Sequence, residues 1–373
     1  MRGLWLRLRI GLLAAALLPT VVGAAEPDRT AIALEALSRL KRVDLNANPA
    51  LKTAVLKVLE STRGTPQFVQ IVQQFKLSDQ GAGLLEVAIK HPAEAAGVDA
   101  MRLLLFDRDT RLVQEALQGT DVAKASKTAE ALGNASDRRA TALLLPVAQD
   151  PQRDAGLRKQ AVRSLARTRE GATELLRLAK AEQLSSEVKF TASTELNHAR
   201  WPDVQAEAAK VLPLPPGKNA QPLPPVSQLL AMKGDPANGA QVFARPEVGC
   251  AKCHRVRDLG VDFGPALAEI GSKLGKDALY EAILDPSAGI SLGFEAWEIE
   301  RKNDEPAYGI IVSETADEMV LKDAQAIPLR IPKSDLVTRR QMKTSIMPAG
   351  LQMTMSAQEL VDLVEYLATL TKK

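Results

Sequence analysis

A repeated spacing of apolar residues restricts the first half of this chain more than any other feature. From Thr30 to about Val211 the sequence is rich in Ala and Leu, and apolar residues recur three and four positions apart, which is typical of amphipathic helices. Residues 157–161 match residues 188–192, and Leu165 matches Leu196, at a common offset of 31 residues. Because stacked helix pairs bury a continuous core that one pair cannot, the repeat predicts an α-solenoid; an irregular helical bundle is the alternative.

A cluster of prolines ends this helical region. Six prolines fall within residues 213–225, and proline lacks the N–H that a helix interior requires. Residues 212–227 are therefore predicted to form a semi-rigid, extended linker between two domains, residues 26–211 and residues 228–373.

The second half combines two kinds of spacing. Residues 236–245, 277–284 and 356–370 read as helices, and the last opens with a capping box formed by Ser356 and Glu359. Short β-prone runs separated by polar turns lie between the last two helices, at residues 297–301, 308–313, 318–321 and 327–331. The expected fold class is mainly α, with a small antiparallel sheet inserted into the second domain.

The first 25 residues have the order of an export signal. A basic stretch with Arg2, Arg7 and Arg9 precedes an apolar run at residues 10–22 and small residues at 23–25, so we predict a cleaved signal peptide. An uncleaved anchor is the alternative, although the run is shorter than the roughly 20 residues that span a bilayer. Charges or prolines interrupt every later apolar run, so we expect no transmembrane span after cleavage and a periplasmic or otherwise exported protein.

The charge balance argues against one class of partner. The formal net charge of +3 is matched by the three arginines of the predicted signal peptide, which leaves the mature chain near neutrality. A neutral chain lacks the basic excess that nucleic-acid binding requires. We therefore expect protein partners and no nucleic acid.

The two cysteines of the chain stand in the run Cys250-Ala251-Lys252-Cys253-His254. Cys-x-x-Cys-His is the attachment signature of c-type haem, in which two thiols bond the porphyrin and the imidazole binds the iron. A zinc site needs more ligands, and the other histidines, His91 and His198, lie in the helical half. A thioredoxin-like dithiol needs a βαβ context that the pattern lacks. Covalent haem c is the favoured prediction.

An iron held by one histidine needs a sixth ligand or an open position, and methionine sulfur is the usual ligand of electron carriers. The downstream candidates are Met319, Met342, Met347, Met353 and Met355. Met319 falls in a predicted strand, where core packing is the commoner role. Met347 falls in a loop that leads into the final helix, so this sulfur is the preferred candidate.

Residues 234–371 resemble the class I cytochrome c fold, and more closely the haem-binding domain of exported planctomycete and verrucomicrobial proteins. The preceding helices resemble degenerate HEAT repeats, to which such domains are often fused. Besides the cysteine motif, the matching segments are residues 239–243, 264–267, 281–288, 293–296, 345–348 and 360–367.

The resemblance implies a role for each site residue. Cys250 and Cys253 would carry the haem, His254 would be the proximal ligand, Met347 the distal ligand, and the Pro265 carbonyl would orient the histidine ring. It also implies that the first and last helices of the domain cross, with Gly239 allowing close approach and Phe243 packing against Leu363 or Tyr366. Shorter class I cytochromes lack the predicted sheet between His254 and Met347.

The predicted function is that of an exported monohaem c-type cytochrome that passes single electrons between protein partners, with the helical repeats as docking scaffold. It would be an electron-transfer protein and not itself an enzyme. The alternatives are the electron-accepting subunit of a periplasmic dehydrogenase, an open-site haem peroxidase and a redox sensor. Lys252, Arg255 and Arg257 flank the motif and are candidates for a rim that docks an acidic partner; a solvated charged face is the alternative.

Overall fold

A computed structural model describes residues 29–40, 44–45, 47–106, 110–214, 223–302 and 306–372. The predicted signal peptide, residues 1–25, and residues 215–222 of the predicted linker lie outside these described residues. The chain divides into two compact units, residues 1–61 and residues 62–373. The proposed domain division at residues 212–227 stays a prediction.

The described residues are mainly α-helical. The α-helices of the first half are α1 (Arg29–Ser38), α2 (Pro49–Ser61), α3 (Pro66–Phe75), α4 (Gly81–Lys90), α5 (Ala95–Phe106), α6 (Arg111–Gln118), α7 (Val122–Ala135), α8 (Ala140–Gln149), α9 (Ala155–Leu165), α10 (Arg169–Lys180), α11 (Ser186–Asn197) and α12 (Pro202–Val211). Those of the second half are α13 (Val226–Ala231), α14 (Pro236–Ala244), α15 (Lys276–Leu284) and α16 (Ala357–Thr369). Within the described residues, no helix combines the length and the apolar character needed to span a membrane.

Four apolar residues related by the offset of 31 residues lie in the interior of the helical region. Leu157 and Leu165 on α9, and Val188 and Leu196 on α11, are each at most 1% exposed. The two helices pack against each other, so these four apolar positions face the interior, whereas Phe190 in the same matched run is 64% exposed. The α-solenoid and the HEAT-like type of the repeat stay predictions.

A buried arginine links α9 to the neighbouring helices α8 and α11. Arg158 on α9 is 2% exposed, and its guanidinium donates to Glu187 Oε2 at 2.5 Å, to Ser185 Oγ at 2.7 Å and to the Ala148 carbonyl at 3.3 Å. A guanidinium is always charged and is tolerated in a core only when its donors are satisfied. These contacts supply three acceptors from two neighbouring helix ends.

The predicted antiparallel sheet is present, with one strand more than the sequence indicated. Its strands are β1 (Ala296–Arg301), β2 (Ala307–Glu314), β3 (Glu318–Lys322), β4 (Pro328–Pro332) and β5 (Leu336–Gln341), in the spatial order β4-β3-β2-β1-β5. One face buries Ile299, Met319, Leu321 and Ile331. The sequence reading missed β5 because this edge strand is almost wholly exposed and therefore lacks the apolar alternation of a half-buried strand.

The crossing of α14 and α16 organises the second half. A Cβ atom on Gly239 would lie 2.0 Å from the carbonyl oxygen of Asp362, so only glycine permits this approach. The Phe243 and Tyr366 rings are 6.0 Å apart. Ser356 and Glu359 form the predicted capping box at the start of α16. The expected crossing, the Phe243–Tyr366 contact and the capping box are thereby confirmed.

Candidate functional site

The Cys-x-x-Cys-His motif is folded into a tight turn. Gly249, at φ +85°, precedes a short 3-10 helix, Cys250–Lys252. The N–H groups of Cys253 and His254 both donate to the Cys250 carbonyl, at 3.2 and 2.9 Å. The turn therefore presents both thiols and the imidazole from one short stretch of backbone. Both cysteines are free thiols and are half-buried.

The loop after the motif holds the turn in place. The Phe263 and Gly264 N–H groups donate to the Cys253 carbonyl at 3.2 and 2.8 Å. Gly260 has φ +95°, and a Cβ atom there would lie 2.1 Å from the His254 carbonyl oxygen. Glycine is required at this position on both grounds. The loop fixes the backbone on the C-terminal side of the histidine.

The imidazole of His254 is oriented by two neighbours. Its Nδ1 lies 2.8 Å from the Pro265 carbonyl oxygen, the contact that the resemblance implied. Because a carbonyl can only accept, Nδ1 carries the proton and Nε2 is left with the lone pair that binds metals. A Cβ atom on Gly264 would lie 2.8 Å from Cε1 of the ring, so the ring packs directly on the glycine.

Burial sets the protonation of these groups. It lowers the pKa of His254, although the hydrogen bond to Pro265 acts in the opposite direction. Burial also raises the pKa of the Cys250 thiol to about 11 and raises the pKa of Cys253. At neutral pH the site therefore holds a neutral imidazole, the form that binds a metal through its lone pair, and two protonated thiols.

The candidate methionines lie in different environments. Met319 is buried in the sheet core, and Met355 is part of the core of the second half. Met353 is 58% exposed. Met347 is half-buried and packs against the same apolar core as Cys250, and its N–H donates to Ser345 Oγ at 3.1 Å. Met319 is thus a packing residue, and the structure brings Met347 to the core that also supports the cysteine turn.

The donor set fits a covalently attached haem. Two thiols and one oriented imidazole come from a single turn, and Cys250, Ala251, Leu267 and Met347 pack on one apolar core. Within the described residues, no group of three or more His, Cys, Asp or Glu side chains could hold a metal ion. The zinc alternative therefore has no ligand set among those residues.

The structure also defines the environment of several residues whose role the sequence left open. Gly260 and Gly264 position the histidine. Gly264 belongs to one of the segments that carry the resemblance to the cytochrome c fold, but its contact with the imidazole ring could not be predicted without the fold. Trp297, for which the sequence allows either packing or donation from the indole N–H, lies against the sheet core and under the Arg339 guanidinium, 5.5 Å from the ring centroid; this environment favours packing. Lys252 and Arg255 are exposed, as a docking rim or a solvated face would be.

Comparison with known proteins adds one finding. No curated protein matches the chain. Residues 236–317 match the family model described as Cytochrome c. The match includes Cys250, Cys253, His254 and Pro265 and ends before Met347. It supports a cytochrome c domain in this part of the chain, which implies haem c with its iron and suggests a role in electron transfer.

Proposed function

We propose that the protein is an exported c-type cytochrome with a single haem, which transfers single electrons between protein partners. The observation that carries the proposal is the cysteine turn with its oriented histidine, inside the matched residues. The motif uses both cysteines of the chain, which supports one haem. Haem c, when bound, supplies an iron that gains and loses one electron.

The chain's own groups would hold this cofactor. Cys250 and Cys253 anchor it through thioethers, so it remains bound in both oxidation states. His254 is the proximal ligand, and the hydrogen bond to Pro265 keeps its Nε2 in the ligating tautomer and raises its basicity. Met347 would be the second protein ligand of the iron. If His254 and Met347 both hold the iron, peroxide and oxygen would find no open position on it, which favours a carrier over a peroxidase.

We assign the helical repeats of residues 26–211 the role of docking scaffold. The partners are redox proteins, and an exported dehydrogenase is one candidate donor. The exposed Lys252, Arg255 and Arg257 flank the turn and suit an acidic partner. If they steer docking, the rate of electron transfer to an acidic partner falls as salt is raised. If the rate of electron transfer does not depend on salt, these three residues do not steer docking.

The test of the haem assignment uses the full chain matured in an exporting host. Covalent haem is detected by haem staining of the denatured protein, and the ferric spectrum is inspected for the weak far-red band of a sulfur–iron bond. Met347→Ala should abolish that band and open the iron to cyanide. Met353→Ala changes an exposed methionine a few residues away and should change neither property.

Three outcomes would contradict the proposal. Absence of covalent haem in the native chain would refute the cytochrome assignment. Retention of the far-red band in Met347→Ala would show that another residue supplies the sulfur ligand. Rapid peroxide binding by the native protein would indicate an enzyme or a sensor instead of an electron carrier.

A further inference from the structure

The backbone that carries Met347 is held by neighbours on two sides. We call residues 342–347 the Met347 segment. Its first N–H group donates to the Ala296 carbonyl at 2.8 Å, where strand β1 begins. The Ser345 N–H donates to Ser287 Oγ at 3.1 Å, just beyond the end of α15. The inserted sheet and the chain after α15 therefore both contact this segment.

Tyr308 on β2 contacts the same segment. Burial raises the pKa of its phenol, and the Arg200 charge and a hydrogen bond with the Thr344 side chain act in the opposite direction. Glu298, which lies opposite Tyr308 in the register of β1 and β2, adds to the rise. The phenol is therefore protonated at neutral pH, and it is bonded to the Met347 segment three residues before Met347 itself.

An arginine of the helical repeats packs on this tyrosine. Arg200 lies between α11 and α12, and its guanidinium carbon is 4.7 Å from the Trp201 ring centroid and 5.4 Å from the Tyr308 ring centroid. Its Nη2 also donates to the Pro306 carbonyl at 3.5 Å. A cation within about 6 Å of a ring centroid is attracted by the ring face. The guanidinium thus joins a ring of the repeats to a ring of the sheet, within the unit of residues 62–373.

These contacts form a continuous path from the repeats to the proposed iron ligand. Arg200, Tyr308, Thr344 and Met347 all line one cavity of about 370 Å³. A methionine side chain has three rotatable bonds, so its sulfur has a defined position only if the backbone that carries it is fixed. Both ends of the path, Arg200 and Thr344, lie outside the matched residues 236–317. The inserted sheet therefore stands between the repeats and the Met347 segment.

We propose that Tyr308 is a positioning residue for the Met347 segment and that Arg200, from the helical repeats, holds the Tyr308 ring in place. The inference rests on the proposed function, in which Met347 binds the iron. It gives the inserted sheet a task at the redox site. It also gives the repeats a second role, since they support the ligand segment in addition to docking partners.

The test uses the full chain with its haem attached. Tyr308→Phe removes the hydroxyl and keeps the ring on Arg200, and Thr344→Val removes the other half of the same hydrogen bond. Thr344→Ser retains a hydroxyl and is the conservative replacement. Tyr366→Phe is the matched control, since it removes the same hydroxyl from a ring that packs on Phe243 instead. Circular dichroism establishes that each variant is folded, and the two halves of the bond give two independent variants.

The position of the segment is read from the rate at which cyanide binds the ferric iron, because cyanide must wait for the Met347 sulfur to leave. Tyr308→Phe and Thr344→Val should each raise this rate about fivefold, the size expected for one lost hydrogen bond. The double variant should be no faster than either single variant, since both remove one bond. Thr344→Ser and Tyr366→Phe should keep the native rate. A native rate in both Tyr308→Phe and Thr344→Val, or fully additive effects in the double variant, would overturn the proposal.

The role of the repeats is tested with Arg200→Gln. This variant should also raise the cyanide rate in the native chain, but it should have no further effect in Tyr308→Leu, which lacks the ring that Arg200 holds. Arg111→Gln removes the same charge from an exposed position on α6 and should keep the native rate. A native rate in Arg200→Gln would refute the part assigned to the repeats.

The native chain and Met347→Ala separate this inference from its premise. Absence of covalent haem in the native chain, or retention of the far-red band in Met347→Ala, would refute the proposed function, and the inference would be refuted with it. A native iron that Met347 closes, but whose cyanide rate does not respond to Tyr308→Phe or Thr344→Val, would refute the inference alone.

Discussion

Replacement of Gly239 by alanine tests whether the crossing of α14 and α16 supports the second half of the chain. The new Cβ atom would lie 2.0 Å from the Asp362 carbonyl oxygen and 2.7 Å from the Tyr366 Cβ atom. Ordinary contact begins at 3.4 Å. The obstacle on α16 is backbone, so no side chain can turn aside, and the helices must separate by more than 1 Å.

The size of the effect follows from what the separation disrupts. A gap of 0.5–1 Å removes roughly a quarter to a half of the dispersion energy across a contact. Val242, Phe243 and Leu363 are buried in this core, and each contributes about 2 kcal/mol through burial. Loss of about half of that amount at three residues is ~3 kcal/mol, and alanine regains about 1 kcal/mol of helix propensity over glycine. The net loss is about 2 kcal/mol.

The assay is thermal unfolding of the full chain, followed by far-UV circular dichroism with the native chain alongside. In the unit of residues 62–373, with an unfolding entropy of about 2.1 cal/mol/K per residue, a loss of about 2 kcal/mol corresponds to a fall in Tm of roughly 3 °C. Gly289→Ala is the control, because a Cβ atom there meets nothing within 4 Å, and it should leave Tm unchanged. A Tm of Gly239→Ala equal to or above the native value would refute the reasoning, since helix propensity would then outweigh the overlap.

Two further predictions concern buried charged groups. Burial raises the pKa of Asp362, but hydrogen bonds from Asn238, the Asp235 N–H and Gln358 outweigh burial and leave the pKa below its ordinary value. The ionised Asp362 therefore stabilises the folded state fully above about pH 4. This stabilisation is lost as the pH falls through the folded-state pKa. Asp362→Asn should reduce the free energy of unfolding by about 1–3 kcal/mol at neutral pH. Urea titrations should show that the difference in stability between the native chain and the variant disappears below about pH 4. A difference that does not change with pH would contradict this prediction. Arg158→Met should lose about 2 kcal/mol through its three hydrogen bonds, and Arg158→Lys should recover little because one ammonium cannot reach all three acceptors. Full stability of the lysine variant, measured in the same titrations, would show that only the charge matters.

The elements read correctly from the sequence are those fixed by neighbours along the chain. The capping box at Ser356 involves residues three apart, and the helices α14, α15 and α16 begin and end within about one residue of their predicted bounds. The offset of 31 residues identified core positions because only the buried face of each helix must stay apolar. The edge strand β5 escaped detection for the opposite reason, since an exposed strand places no demand on its side chains.

The features of the candidate site likewise fall into those that the sequence predicts and those that depend on the fold. Adjacency within five residues determined by itself that two thiols and an imidazole lie together, and this was enough to predict haem c. Only the tertiary structure decided what surrounds them: the Pro265 carbonyl at 2.8 Å from His254 Nδ1, the glycine against the ring, and the core shared by Cys250 and Met347. The cavity whose wall includes both Arg167 and Met347 cannot be inferred from either segment alone. Contacts within one turn of backbone follow from local spacing, whereas contacts between distant segments depend on how the whole chain packs.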